Sequence, residues 1–586
     1  MKSQAGQKGV LANAFNKPFW NTRIKSANAT KKEMWLGYVL GPWGILMTNS
    51  IVNSYFNQYL TDVLGFTVSK AAWIATFMVA FPLVSKIMDA ITNLLMCKLI
   101  DMTVCKQGKV RPWFIISAPL VAISVILMFC MPFTSVFAQA VWVVFTFNLY
   151  YCIAYTMWNM AKELSPALST RNVNQRKNNA MALTITANIG TGLVSILFPL
   201  ILNRICAAVN GDNAKGYFLA MTMIGCIALP LALIQYFYTR ERVTEERRNQ
   251  VGIVNGGAVE TEVKPEASTL EQLKACLKSK YWILFVLVIL LTSVLSNIRN
   301  ISLVYYCGWI VNGNSYGTFA TIQAKFQMIA MSPMGPGLLI MLPLMRKIGR
   351  RNCIWGGGVL TTVGSIMAYM NAGNSMMIYA GTALAAIGNI AFTYTFMSYL
   401  GDVIDFVEWK TKVRCDGITG GFVGVSSMLA IGLAQAIFNL GLMVSGYNQP
   451  EVIGTTAEGI NLYADQLSAA NGWINFAYQG TYIIIGIIVF TIFCFVFKLD
   501  DFMPKVSAEL EERKVAECKA QGIKYIPHSE LERIEREKAF SEAEEIRIKE
   551  LKEQCQKKGL DFDTENQKVL DKRTAKEAKK AAKRRS

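Results

Sequence analysis

The chain has 586 residues, of which 53% are hydrophobic and only 17% charged, and 59 Lys and Arg set against 40 Asp and Glu give a formal charge of +19. That apolar share exceeds what a soluble domain normally carries, and the charges gather at the termini and in short connections, which argues against a soluble enzyme and against a nucleic-acid binder. His528, the single histidine, lies in a polar C-terminal stretch, and no P-loop Gly-Lys-Ser/Thr pattern occurs, so neither a histidine proton relay in the membrane nor ATP-driven pumping is expected.

In chain order, a polar tail over 1–34 is followed by six long apolar stretches at 36–60, 72–99, 113–133, 137–161, 179–204 and 216–239. Each is near the roughly 20 residues that a membrane-crossing helix needs. No cleavable signal peptide is expected, because the first apolar run is already a full-length span. The polar stretch 240–280 reads as a cytoplasmic linker, and six more spans follow at 281–311, 319–345, 353–371, 376–404, 417–446 and 471–497. Residues 500–586 are rich in Glu, Lys, Arg and Ala and read as a solvated helical tail, whose end, Lys572 to Arg585, is a candidate contact for anionic lipid. The expected domains are thus 1–34, a six-helix bundle over 35–239, the linker 240–280, a second bundle over 281–499, and the tail.

Lys and Arg recur in alternate connections: the N-terminal tail, then Lys106, Lys109 and Arg111, then Arg171, Arg176 and Lys177, then Arg346 to Arg351, then Lys410 to Arg414. The intervening connections around 134–136, 312–318 and 372–375 carry no basic residue, and the charged residues of 447–470 are all acids, Glu451, Glu458 and Asp465. By the positive-inside rule both termini are cytoplasmic, which makes the number of crossings even and favours twelve. The 13 cysteines lie mostly in or beside spans without paired spacing, so neither a disulfide frame nor a metal cluster is expected.

Charged side chains inside spans are costly and mark functional or helix-pairing positions. In the second span Lys86, Asp89, Thr92 and Asn93 follow one another at i,i+3 and i,i+4 spacing, so Lys86, Asp89 and Asn93 share a helical face. A carboxylate with amide and hydroxyl oxygens beside it suits sodium, or a proton; the alternative is a buried Lys86–Asp89 pair that only pins helices. Thr156, Trp158 and Asn159 in the fourth span are candidates to complete the site. Asn297 and Arg299 in the seventh span call for a partner, either Asp89, a helix carbonyl end or an anionic substrate. Trp158, Tyr305, Tyr306 and Tyr394 are candidates for stacking on a sugar ring.

The segments Thr61-Asp62-Val63-Leu64-Gly65, Asp89-Ala90-Ile91, Gly108-Lys109-Val110-Arg111-Pro112-Trp113, Asp402 to Lys410, and Arg414-Cys415-Asp416-Gly417 together resemble the glycoside–pentoside–hexuronide cation symporters of the major facilitator superfamily, over about residues 35–500. The resemblance implies an all-α membrane protein of twelve transmembrane helices in two six-helix bundles, working by alternating access. It implies a cation site at Asp89 and Thr156, where the family's second aspartate is replaced by Asn93. The family's sugar-holding acids fall on Leu46 and Asn159, its span-five arginine on Thr184 and its span-eleven lysine near Met428, so a galactoside site is not carried over. Arg299 stands where the family has an apolar residue, which makes an anionic sugar a hypothesis. Lys109, Arg111, Asp402, Asp405 and Arg414 keep the charges that close an inward gate in such families.

The expected activity is sodium- or proton-coupled symport of a sugar, glycoside or uronide, with no catalytic residue, no cofactor and no metal beyond a sodium at Asp89. The expected setting is the cell membrane, as a monomer in lipid with a small sugar-like solute and no nucleic acid as partner. The alternatives are a sodium-coupled lysolipid carrier of the same fold, and a transporter-like sensor that signals through its tail.

Overall fold

Backbone at membrane depth must satisfy its own hydrogen bonds, and the chain meets that demand with helices. In the computed structural model, which describes residues 11–245 and 269–520 except 12–13, 16, 27, 68–69, 171–172, 210, 312, 315, 414 and 457–460, and a discontinuous set between 537 and 571, nine helices among the described residues are long and apolar enough to cross a membrane. They are α2 (Ala72–Asp101), α3 (Arg111–Met128), α4 (Val136–Ser169), α6 (Asn213–Tyr238), α7 (Lys280–Trp309), α9 (Arg350–Met370), α10 (Ser375–Thr395), α11 (Asp416–Val444) and α12 (Ser468–Val496). Three further spans complete the halves: α1 (34–63) begins and ends in π-helical turns, α5 (173–208) has one at Thr186–Gly190, and α8 (319–348) breaks between Met331 and Met334.

The spans form two six-helix halves. In the first, α6 packs on α1 and α3; in the second, α9 packs on α10 and α12. The α9–α10 contact is backbone-close, because a Cβ added to Gly388 would lie 2.5 Å from the Gly357 carbonyl oxygen, and one added to Gly381 2.5 Å from that of Gly364. Small residues at such spacing let apolar helices gain packing that lipid cannot supply. The halves meet along α2–α11, α1–α7 and α5–α8.

The π-helical turns have local consequences. One at Leu149–Tyr155 brings the Tyr151 carbonyl within 2.8 Å of the Thr156 hydroxyl, five residues on, whose single proton is shared between that carbonyl and Asp89, and another at Phe476–Gly480 presents the Tyr478 carbonyl to Arg299. Single π turns of this kind often sit at functional positions.

Ahead of α1, residues 20–26 and 28–33 strap the end of the first half. Arg242, just after α6, pairs through two nitrogens with the fully buried Glu33, at 3.1 and 2.8 Å. One element departs from an all-helical reading: the acidic connection 447–470 contains an antiparallel pair of short strands, Val452–Thr455 and Asn461–Tyr463. The residues through Ser507 form one compact unit and Ala508–Ser586 another. The second contains the helical pieces between 537 and 571, while most of the linker, His528 and Lys572 to Arg585 lie outside the described residues.

Candidate ion and solute sites

Asp89 sits midway along α2 and is 6% exposed. Its Oδ1 accepts from Thr156 Oγ1 of α4 at 2.9 Å and from Asn93 Nδ2 at 3.0 Å, while Oδ2 pairs with Lys86 Nζ at 3.2 Å. Thr92 turns its hydroxyl to the Asp89 backbone carbonyl at 3.0 Å, so it supports the turn and does not touch the carboxylate. Asn93 also reaches Met428 Sδ of α11 at 3.5 Å, which places the carboxylate beside the seam between the halves.

Two features give this cluster more freedom than a locked ion pair has. Lys86 lies 3.6 Å from the centroid of the Tyr151 ring, so its ammonium has a second anchor when it leaves Asp89. Asn93 Oδ1 is buried without a hydrogen-bond partner, while its Nδ2 faces the carboxylate. An amide exchanges its two ends by a half-turn, so Asn93 can offer an oxygen at the place where it now donates. With that turn, the Asp89, Asn93 and Thr156 oxygens form an oxygen set that fits a hard monovalent cation.

Arg299 of α7 is 7% exposed and does not meet Asp89. Its Nη1 donates to the Tyr478 carbonyl at 2.6 Å, and its guanidinium lies between the rings of Tyr478 and Tyr482, 3.8 and 3.7 Å from their centroids. Beside it opens a cavity of ≈ 260 Å³ bounded by α7, α8, α10 and α12. Asn297 is not on its wall and bonds the Ser293 carbonyl of its own helix at 2.7 Å. Tyr394 lies on α10 next to the wall residue Thr393 and is half-buried. Trp158 is fully buried, donating to Gln235 of α6 at 2.7 Å, and so packs the first half; Asn159 beside it is half-buried.

The charged turns each stay within one half. Arg111 is buried and donates to the Tyr236 carbonyl and to Gln107, and Lys109 approaches Asp101 at 3.9 Å. The backbone N–H groups of Lys109, Val110 and Arg111 all donate to Glu241, at 2.8, 2.9 and 2.8 Å. In the second half Asp402 pairs with Arg350 at 2.6 Å, Arg350 also pairs with Asp500 at 2.7 Å, and Asp405 is half-buried on the same helix as Asp402. Arg414 lies outside the described residues.

Asp62, quoted above only within a motif, proves to be the centre of a polar clasp between the halves. It is 9% exposed and accepts from Thr61 at 2.8 Å, Tyr316 at 2.5 Å and Tyr447 at 2.9 Å. Around it Asn57 donates to Tyr305 at 3.0 Å, Gln58 to Tyr316 at 3.1 Å, and Gln449 to the Asp62 carbonyl at 2.9 Å. Apart from the Thr61 bond, which stays within α1, these join α1 to the second half at the end of the bundle remote from the N-terminal strap.

Two six-helix halves clasped at one end around membrane-buried polar sites define a transporter, not an enzyme. Residues 37–501 match the family described as MFS/sugar transport protein, and the chain belongs to that family. It is similar to an isoprimeverose transporter of Lactiplantibacillus pentosus, 24% identical over 488 residues that cover 82% of this chain and 91% of the relative. It is also similar to an inner membrane symporter of Escherichia coli, 23% identical over 438 residues, 73% of this chain and 86% of the relative. The crystal structure of a D-xylose–proton symporter shares the fold with a TM-score of 0.52 at 13% identity, over 78% of this chain and 96% of that one.

Proposed function

We propose that this transporter couples uptake of a sugar-like solute to a cation bound at Asp89, sodium or a proton, by alternating access between the clasped state described here and one open at the clasp. The carrying observation is that Asp89 is buried beside the seam of the halves, bound by a movable amide and a lysine with a second anchor. Cation uptake releases Lys86 and turns Asn93, and both changes reach the α2–α11 contact that must open and close. A ligand biases such an equilibrium only through a different affinity for each state, and a site at the seam supplies that difference. Relatives named for isoprimeverose transport and for symport support the solute class and the coupling.

The basic connections favour an orientation in the plasma membrane with both termini in the cytoplasm and the Asp62 clasp outside. One chain supplies both halves of the passage, so a monomer suffices. A second cavity of ≈ 390 Å³ lies between α7, α11 and α12, walled almost entirely by apolar side chains such as Leu291, Ile437 and Trp473. Its wall on α7 carries Leu291, Val294 and Leu295, while Arg299 and Asn300 belong to the other cavity, which favours a lipid chain as neighbour over an amphiphile as cargo.

The test is uptake into proteoliposomes of a panel of sugars under imposed sodium or proton gradients. Accumulation above the external concentration that follows one ion, and that Asp89→Asn abolishes while solute exchange persists, is the expected result. Ion-driven accumulation that survives in Asp89→Asn would move the coupling site elsewhere. Because Asp89→Asn leaves Lys86 buried without its counter-charge, the double variant with Lys86→Met controls for folding.

A further inference from the structure

Arg299 is a buried cation that, among the described residues, has no carboxylate within ion-pair distance. An arginine at membrane depth is costly, so its surroundings show what it is for. Stacking between Tyr478 and Tyr482 fixes the plane of the guanidinium, and the π-helical turn at Phe476–Gly480 supplies the Tyr478 carbonyl to Nη1, with Gln479 Oε1 farther off at 3.4 Å. These contacts orient the group without neutralising it. They occupy both faces and one edge, and an in-plane edge formed by Nε and Nη2 remains.

The cavity that Arg299 lines is polar around the arginine, with Ser296, Asn300, Gln327, Asn389 and Thr393 on its wall and no Asp, Glu or Lys among its lining residues. Ser296, Asn300 and Thr393 are exposed, and amide and hydroxyl groups exposed at this depth belong to a water-filled passage rather than to hydrocarbon. At ≈ 260 Å³ the space lies just below the roughly 300–1,000 Å³ of pockets for drug-sized ligands, which suits a single sugar ring.

We propose that this cavity is an anion-selecting solute site: it takes a polyhydroxylated solute bearing one carboxylate or sulfonate, held in the fork of Arg299, with its hydroxyls on Asn300, Asn389 and Thr393. A planar guanidinium binds a carboxylate through two parallel N–H···O bonds, and desolvation makes those bonds stronger than their counterparts in water. Neutral sugars of the same ring size leave the charge uncompensated and are discriminated against. This inference rests on the solute-transport reading and narrows it from sugars in general to sugar acids.

The experiment measures thermal stability of the purified full-length protein against hexuronates and sugar sulfonates, each paired with its neutral parent at equal ionic strength. At least one acid should stabilise at about tenfold lower concentration than its parent, as expected when one partner of a charge-assisted pair is missing. Arg299→Gln should remove that preference, and Arg299→Lys should keep part of it, since an ammonium holds the charge without the fork. Equal stabilisation by acid and parent throughout, or an unchanged preference in Arg299→Gln, overturns the proposal. The comparison of acid with parent on the unaltered protein needs no variant to fold. Ion-coupled uptake of neutral sugars alone would overturn the anion site and leave the transport reading standing, whereas acid binding through Arg299 without ion-driven uptake would do the reverse.

Discussion

Tyr316, in the connection ahead of α8, donates its hydroxyl to Asp62 Oδ2 at the end of α1 over 2.5 Å, so a carboxylate of one half is held by a phenol of the other. Tyr447, from beyond α11, takes the second oxygen at 2.9 Å. Hydrogen bonds to a charged acceptor contribute about 1.5–3 kcal/mol each, and in a two-state transporter that energy favours the clasped state.

Asp62→Asn or Tyr316→Phe should therefore shift the population toward the state open at the clasp. In a cysteine-depleted background, a cysteine at Thr393 should react with an impermeant thiol reagent from the clasp side several times faster when either change is present. Unchanged reactivity in both variants would mean that the clasp does not set the balance between states.

Asn93→Asp restores a second carboxylate beside Asp89, one helical turn along α2. Its oxygens need no half-turn to face a cation, whereas Asn93 now points its amide nitrogen at Asp89. Sodium affinity, read from sodium-dependent thermal stability or uptake, should rise by about tenfold, the order expected of one added charge interaction. A fall in affinity would indicate that the second carboxylate only repels the first.

How much of this was legible in the sequence depends on distance along the chain. Lys86, Asp89 and Asn93 lie within two helical turns, so their spacing alone predicts their contact. Asp62 and its tyrosines are 254 and 385 residues apart, and nothing periodic links them. Arg299 stood out as a charge in an apolar run, yet its carbonyl partner depends on a π turn in α12 that leaves no hydrophobic pattern. Lys109 and Arg111 were legible as a basic turn; that their backbone meets Glu241 was not, because the residues after α6 read as the start of a linker. The strands at Val452–Thr455 and Asn461–Tyr463 were missed for a similar reason, since that connection was judged by its acids alone.

Orientation has a direct check. Single cysteines near Asn314 and Glu458 should react with impermeant reagents from outside intact cells, and those near Lys109 and Arg350 should react only after permeabilisation. Outside reactivity at Arg350 would invert the topology and place the Asp62 clasp on the cytoplasmic side.

Glu241 offers a test of what holds the other end of the first half. The first N–H groups of a helix lack intrahelical acceptors, and one buried carboxylate here accepts from Arg111, the first residue of α3, and from Lys109 and Val110 in the turn that leads into it. Gly108 makes room for it: its φ is +116°, and a Cβ there would lie 2.3 Å from Glu241 Oε1. Glu241→Ala leaves those donors buried and unpaired, at about 1–3 kcal/mol for each that finds no water. Glu241→Gln keeps one oxygen and should cost less, while Gly108→Ala should resemble Glu241→Ala by displacing the carboxylate. Melting temperatures of the purified variants should thus fall in the order wild type, Glu241→Gln, Glu241→Ala, with Gly108→Ala near the last. If Glu241→Ala melts with the wild type, the cap is dispensable and the α3–α6 packing alone fixes this end of the bundle.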